Sequence, residues 1–233
     1  MCGRFTILYT WDEIYRYYQL IGETPTNWGP SFNVCPTDEV GTVVLRDGRR
    51  RFERMRWGII PFFHKKPKKE WKSATFNARA ETIEKLPSFR NIWRRSRCLI
   101  PASGYFEWHY RDPANKKEKP QPYYFTARDG APLVTIAGIW DRWRDPENNN
   151  AEVHSCAMII TEPNRFVGQV HDRMPVLLQP HQFDAWLDGA FGKEVLVPAP
   201  EDSLRRWPVS QRVNSSKAPA DDPELISEIE IAA

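Results

Sequence analysis

Apolar and polar positions along the chain separate into short segments of strand type, with few of helical period. Thr10–Leu20 (TWDEIYRYYQL) spaces its apolar residues as a helix does. Thr10 is placed to cap it, and Asp12 and Glu13 suit its first turn. A loop rich in Pro, Gly and Asn is expected over 22–36. The run VGTVVLRDGRRRFERMRWG (40–58) predicts a hairpin turning at Asp47-Gly48. HKKPKKEWKS (64–73) reads as an exposed loop. ARAETIEKL (78–86) reads as a helix stopped by Pro87.

Downstream the pattern is mostly β. RCLIPASGYFEWHY (97–110) predicts one or two strands. A polar loop over 112–121 leads to YYFTARDG (123–130) and LVTIAGIWDRW (133–143). PENNNAE (146–152) is a turn and VHSCAMIIT (153–161) a buried central strand. MPVLL (174–178) is short and extended, HQFDAWLDGA (181–190) is a helix, and the remainder reads as loop-rich. Short strands with a few helices predict an α+β fold, its mostly antiparallel sheet curled like a barrel. No linker divides the 233 residues, so a single domain over 1–233 is expected, with an acidic tail over 218–233.

Composition adds that 41% hydrophobic and 13% aromatic residues suffice for a sizeable core. No run reaches the roughly 18 apolar residues of a membrane span, and no signal-peptide core opens the chain. A cytoplasmic protein without membrane contact is expected. The cysteines at 2, 35, 98 and 156 form no C-x-x-C pair and no zinc spacing. Cys35, Cys98 and Cys156 lie in apolar surroundings and read as buried, in a reducing compartment. No metal and no cofactor is expected. Phosphate-binding glycine motifs and G-x-S-x-G are absent.

Net charge is +3, but Arg46–Lys72 holds eleven bases against three acids, and Arg90, Arg94, Arg95 and Arg97 add a second group. Bases interleaved with Trp57, Phe62, Phe63, Trp71 and Trp93 suit a single-stranded nucleic-acid groove. They equally suit a solvated basic face.

Four positions carry candidate chemistry. Cys2 follows the initiator methionine, and loss of Met1 would leave an amine and a thiol on one residue. That pair can close a five-membered ring on an aldehyde; the alternative is a cysteine of no consequence in a mobile terminus. Alternation places Tyr105, Glu107 and His109 on one strand face, Phe106 and Trp108 on the other. A carboxyl beside aromatic bulk is held toward its protonated form, as a general acid/base near neutral pH requires; the alternative is an exposed glutamate on an edge strand. His171 lies in the charged segment VHDRMP between apolar runs. Asn77 either caps the following helix or orients an amine or sugar. Arg79 either binds phosphate or pairs with Glu81.

MCGRF, FNVCPT, WGIIP, NARAET, RCLIPASGYFEW, IIT, HDRMPV and WPVSQRVN occur in that order over residues 1 to about 214. In this the chain resembles the SOS-response-associated peptidase family, the abasic-site-processing proteins. The resemblance implies an α+β pseudo-barrel of bifurcated sheet. It implies a monomer that senses abasic sites in single-stranded DNA, including sites at single/double-strand junctions. Cys2, freed of Met1, would form an imine with the sugar aldehyde and close a thiazolidine, with strand cleavage of the lyase type as a further activity. Glu107 would be the acid/base, Asn77 would position the N-terminus and the sugar, and His171 would assist proton transfer. Arg4, Arg79 and Arg173 would hold phosphates, with Thr161 near the sugar. Arg4 and other bases are expected to lower the pKa values of the Cys2 amine and thiol. Phe62 and Phe63 stand where relatives often carry tryptophan and would stack on DNA. Pro87 replaces a basic residue, with Lys85 or Arg90 as substitutes. The competing activities are a peptidase acting on its own Met1–Cys2 bond, and an N-terminal-nucleophile amidohydrolase, which shares the Met-Cys-Gly start.

Overall fold

A computed structural model of the chain describes residues 2–22, 29–111 and 119–231. In chain order it contains β1 (Phe5–Ile7), α1 (Trp11–Tyr17), β2 (Ser31–Val34), β3 (Glu39–Arg46), β4 (Arg49–Trp57), β5 (Asn77–Arg79), β6 (Arg97–Ala102), β7 (Gly104–His109) and β8 (Gln121–Ala127). There follow β9 (Val134–Asp145), β10 (Ala151–Thr161), α2 (Arg165–Gly168), β11 (Met174–Pro175), α3 (Phe183–Leu187) and β12 (Leu204–Pro208). One sheet has the order β12-β8-β7-β1-β2. The other runs β11-β10-β4-β3-β6-β9, and β9 pairs again with β10, so five of its strands close a barrel. Pairing is antiparallel except where β4 and β5 lie parallel to β10. This is the α+β pseudo-barrel expected from the sequence.

The sheets diverge at Ser103, between β6 of the barrel and β7 of the open sheet. Its amide donates to the Thr6 carbonyl, which ties β1 to the crossing. Gly104 follows because the layers meet there: a Cβ would stand 2.4 Å from the Phe125 carbonyl oxygen and from the Tyr124 hydroxyl. The β3–β4 hairpin turns as expected, with Asp47 and Gly48 at φ 52° and 72°, the left-handed pair that matches strand twist. Thr10 caps α1 through a capping box, its amide donating to the Glu13 carboxylate at 2.6 Å.

β1 has three residues, yet it lies between β2 and β7, pairing Phe5 with both Val34 and Tyr105. The Phe5 ring meets Trp57 edge-on, centroids 5.1 Å apart. The chain start is thereby fixed inside the protein, and Cys2 is 1% exposed.

Several expectations fail. The helix over 78–86 does not form. Asn77–Arg79 is drawn into parallel pairing with β10, and Ala80–Arg95 is a run of turns. Bonds such as Thr82 N to Arg79 O and Phe89 N to Leu86 O close single turns, and Pro87 has no amide to continue a helix. The 22–36 loop contains β2, and the loop-rich end contains β12. Residues 112–118 of the polar loop lie outside the described residues, and Gln121 already opens β8. Cys35 is half-buried, not buried.

The acidic tail is docked on the body. Leu225 is buried in a second cluster with Phe106, Tyr124, Val209 and Val213. Backbone bonds from Phe32 N to Ala220 O and from Ile229 N to Pro208 O hold it, and Arg212 pairs with Asp222. Leu225→Ala removes a fully buried side chain from this seam. It is expected to lower stability by about 2–5 kcal/mol, read from urea unfolding. A loss no larger than that of an exposed substitution would show that the tail merely rests on the surface.

Candidate functional site

Four elements bring the chemistry together. The segment before β1 delivers Cys2, the first residue of β5 delivers Asn77, β7 delivers Glu107, and the turn after α2 delivers His171. Asn77 Nδ2 donates to the Cys2 carbonyl at 2.8 Å. Its Oδ1 is buried and accepts no hydrogen bond among the described residues. His171 Nε2 stands 3.6 Å from Glu107 Oε2. The Cys2 thiol and the Glu107 carboxyl are hydrogen-bond partners. Alternation on β7 works as expected. Phe106 packs into the second cluster, while Tyr105 and Glu107 face the site with no exposed surface.

Burial sets the protonation states. It pushes the Glu107 carboxyl up to about 7, and the hydrogen bond from Cys2 offsets this in part. Burial first, then the neighbouring Glu107 charge, raises the Cys2 thiol well above its ordinary value. Burial lowers His171, against the opposing pull of Asp172. The Arg173 amide donates to His171 Nδ1 at 3.0 Å, so the neutral ring carries its proton on Nε2, toward Glu107. At neutral pH the site holds a thiol, a neutral imidazole and a carboxyl divided between its two forms.

This corrects the expectation that Arg4 lowers the thiol. The Arg4 guanidinium donates to Asn33 Oδ1 at 2.6 Å and to Cys35 Sγ at 2.9 Å, and it acts on Cys35. Asn33, part of the FNVCPT motif but given no role from the sequence, anchors Arg4 and also donates to the Ser215 and Ala218 carbonyls.

The other predicted residues are placed as follows. Arg79 is exposed at the end of β5. Glu81 pairs with Arg173 at 2.5 Å, not with Arg79. Thr161 is buried, and its hydroxyl donates to the Leu196 carbonyl. Phe62 and Phe63 are exposed on a turn, their rings edge to face at 5.6 Å. They stand apart from the cluster. The Phe62 amide donates to Asp141 on β9, which faces Ser155 on β10, three residues from the Met158 that faces Asn77. That offset is roughly 10 Å along the strand. Asp141, a second residue the sequence did not single out, was legible as an acid within an apolar strand. Met1 lies outside the described residues. Among the described residues no group of three or more His, Cys, Asp or Glu is placed to hold a metal ion, and no helix is long and apolar enough to cross a membrane.

The sequence matches the family described as "SOS response associated peptidase (SRAP)" over residues 1–216. It is similar to abasic site processing protein YoqW of Bacillus subtilis, with 34% identity over 232 residues, 97% of this chain and 99% of the relative. It is similar to abasic site processing protein HMCES of Xenopus tropicalis, with 27% identity covering 93% of this chain and 76% of the relative. A crystal structure of a Bordetella bronchiseptica protein superposes with a TM-score of 0.75 at 27% identity, covering 90% of this chain and all of that one. One from Bacteroides thetaiotaomicron, at 21% identity, shares the fold with a TM-score of 0.85, covering 98% of this chain and all of that one.

The raised Glu107 pKa has a direct thermodynamic consequence. Between the ordinary carboxyl value of 4.5 and about 7 the unfolded chain loses this proton while the folded chain keeps it. Stability therefore falls as pH rises through that window, by at most about 3 kcal/mol. In Glu107→Gln this contribution is absent. Melting of the two proteins across pH 5 to 8 is expected to favour the variant increasingly as pH rises. A difference that does not change with pH would contradict the burial-driven shift.

Proposed function

We propose, for a chain that belongs to the SOS response associated peptidase family, that it captures abasic sites in single-stranded DNA through a covalent bond to Cys2. The relatives named above are abasic site processing proteins. An abasic sugar in its open form carries an aldehyde. With Met1 removed, the Cys2 α-amine adds to that carbonyl, and the carbinolamine loses water to give an imine. The thiol then adds to the imine carbon. A C–S bond forms, the thiol proton moves to nitrogen, and a thiazolidine results with no net oxidation or reduction.

The observation that carries this reading is the buried Cys2 thiol set against a carboxyl poised near neutral pH. A burial-raised thiol is a poor nucleophile by itself, so a base must take its proton as sulfur attacks. Glu107 in its ionised form does this. In its protonated form it supplies the proton that expels the carbinolamine hydroxyl. His171 Nε2–H faces the same carboxyl and steadies its ionised form. Asn77 fixes the Cys2 backbone, and its open Oδ1 is an acceptor for the freed amine. Arg79 and Arg173 flank the site and suit phosphates. Arg4 lies on the β2 side, and Phe62 and Phe63 offer rings to neighbouring bases. Thr161 reaches a sugar by exchanging its bond to Leu196.

The test is a denaturing gel of protein whose mass confirms Met1 loss, mixed with a strand carrying one abasic site. A shifted band is expected with abasic DNA and not with undamaged DNA, and none with Cys2→Ala. Glu107→Gln is expected to slow band formation by about 100-fold or more, the scale of acid–base catalysis. Absence of the band, or equal bands from damaged and undamaged strands, would defeat the proposal.

A further inference from the structure

We infer that the Tyr105 hydroxyl is the hydrogen-bond donor that receives charge on the Cys2 sulfur as the thiazolidine ring closes. The inference deepens the proposed function and rests on it. Across the open sheet Arg206, Phe125, Tyr105 and Phe5 face one another in register on β12, β8, β7 and β1. Glu107 stands two residues further along β7 on the same face, about 7 Å along the strand. Tyr105 is fully buried.

Packing does not account for the hydroxyl. The Tyr105 ring stacks on Phe125, with planes 7° apart and centroids separated by 5.1 Å, and Phe5 is its partner on the other side. A phenylalanine ring would fill the same slot. Yet the Tyr105 hydroxyl is buried and makes no hydrogen bond among the described residues. A buried polar group left unpaired costs stability, so native structures keep few of them. Among the described residues the uncharged side-chain atoms in this condition are Tyr105 Oη and Asn77 Oδ1. Both belong to the surroundings of Cys2. Arg206, at the end of the row, does not use the hydroxyl either: its guanidinium donates to the Phe166 carbonyl and to Gln169 Oε1.

The chemistry of ring closure supplies the missing partner. The thiol proton goes to Glu107, the sulfur electron pair forms the C–S bond, the imine π pair moves to nitrogen, and Glu107 passes the proton on to that nitrogen. While the proton is on Glu107, sulfur carries negative charge in a site closed to water, where a preset donor counts most. The other donors are committed. Asn77 Nδ2 holds the Cys2 carbonyl, His171 is directed at Glu107, Arg4 at Asn33 and Cys35, and Arg173 at Glu81. The Cys2 backbone N–H, which bonds the thiol in the resting chain, becomes the reacting nitrogen once Met1 is gone. Tyr105 is the donor left over. Burial first, then the Cys2 and Glu107 charges, raises its hydroxyl well above the ordinary value, so it keeps its proton across the neutral range.

Tyr105→Phe tests this, since it removes the oxygen alone. Processed wild type and variant are mixed with a strand carrying one abasic site, and samples are quenched over time with and without sodium borohydride. Borohydride delivers hydride to the imine carbon and fixes the link as an amine, whereas the closed thiazolidine survives a denaturing gel without it. The imine is expected to form at the wild-type rate. Its conversion into the borohydride-independent link is expected to slow by about 10- to 100-fold, the scale of one hydrogen bond to a charged group. The variant is expected to melt no lower than wild type, because no hydrogen bond is lost. Conversion at the wild-type rate overturns the inference and leaves covalent capture intact. So does equal slowing of imine formation and conversion with a lower melting temperature, which assigns the hydroxyl to packing. A wild type that forms neither species defeats the covalent mechanism, and the inference falls with it.

Discussion

Burial of a carboxyl beside a thiol is the constraint to which the rest of the site answers. Glu107 has no exposed surface and Cys2 almost none, so neither can ionise at its ordinary pH. The neighbouring residues are arranged to keep that pair in reach and in register. The Arg173 amide sets the tautomer of His171, His171 directs its proton at Glu107, and Asn77 holds the Cys2 carbonyl. In the capture proposed above, reactivity comes from a proton passed over a short distance between Glu107 and the Cys2 thiol.

The fold makes the pairing rigid. Glu107 sits on a strand flanked by β1 and β8, and Cys2 stands three residues before β1 itself. Asn77 comes from a three-residue strand laid parallel on β10, the strand that also closes the barrel. Closed barrel and open sheet thus contribute separate members, and the crossing at Ser103–Gly104 fixes their relation. Sheet hydrogen bonds on β5 and β7, and on β1 just after Cys2, leave little freedom at three of the four positions, which suits the proposed capture, in which an amine and a thiol are oriented together.

Much of this was legible in the sequence where local chemistry decides. The Asp47-Gly48 turn, the Thr10 cap and the alternation that turned Glu107 inward are each settled within a few residues. Failures fall where partners distant in sequence decide. Asn77–Arg79 became a strand because β10 offered it a ladder, and β2 and β12 became strands by pairing with β1 and β8. Arg4 was misread because proximity in sequence says nothing of direction: Asn33 and Cys35 draw its guanidinium toward β2. The structure brings the four candidate residues together, but their protonation could not be read from the sequence, since that depends on how thoroughly a closed core excludes water.

The position of β1 also governs the order in which the protein can be assembled. Phe5 and Thr6 pair with Tyr105 and Gly104, about a hundred residues downstream. On a ribosome the chain start has no slot to enter until that second strand has emerged, and closing so long a loop is slow. The first residues are therefore open to processing enzymes throughout early synthesis. Cys2 is buried once the sheet forms, so an enzyme that has to reach this residue finds it open on the nascent chain.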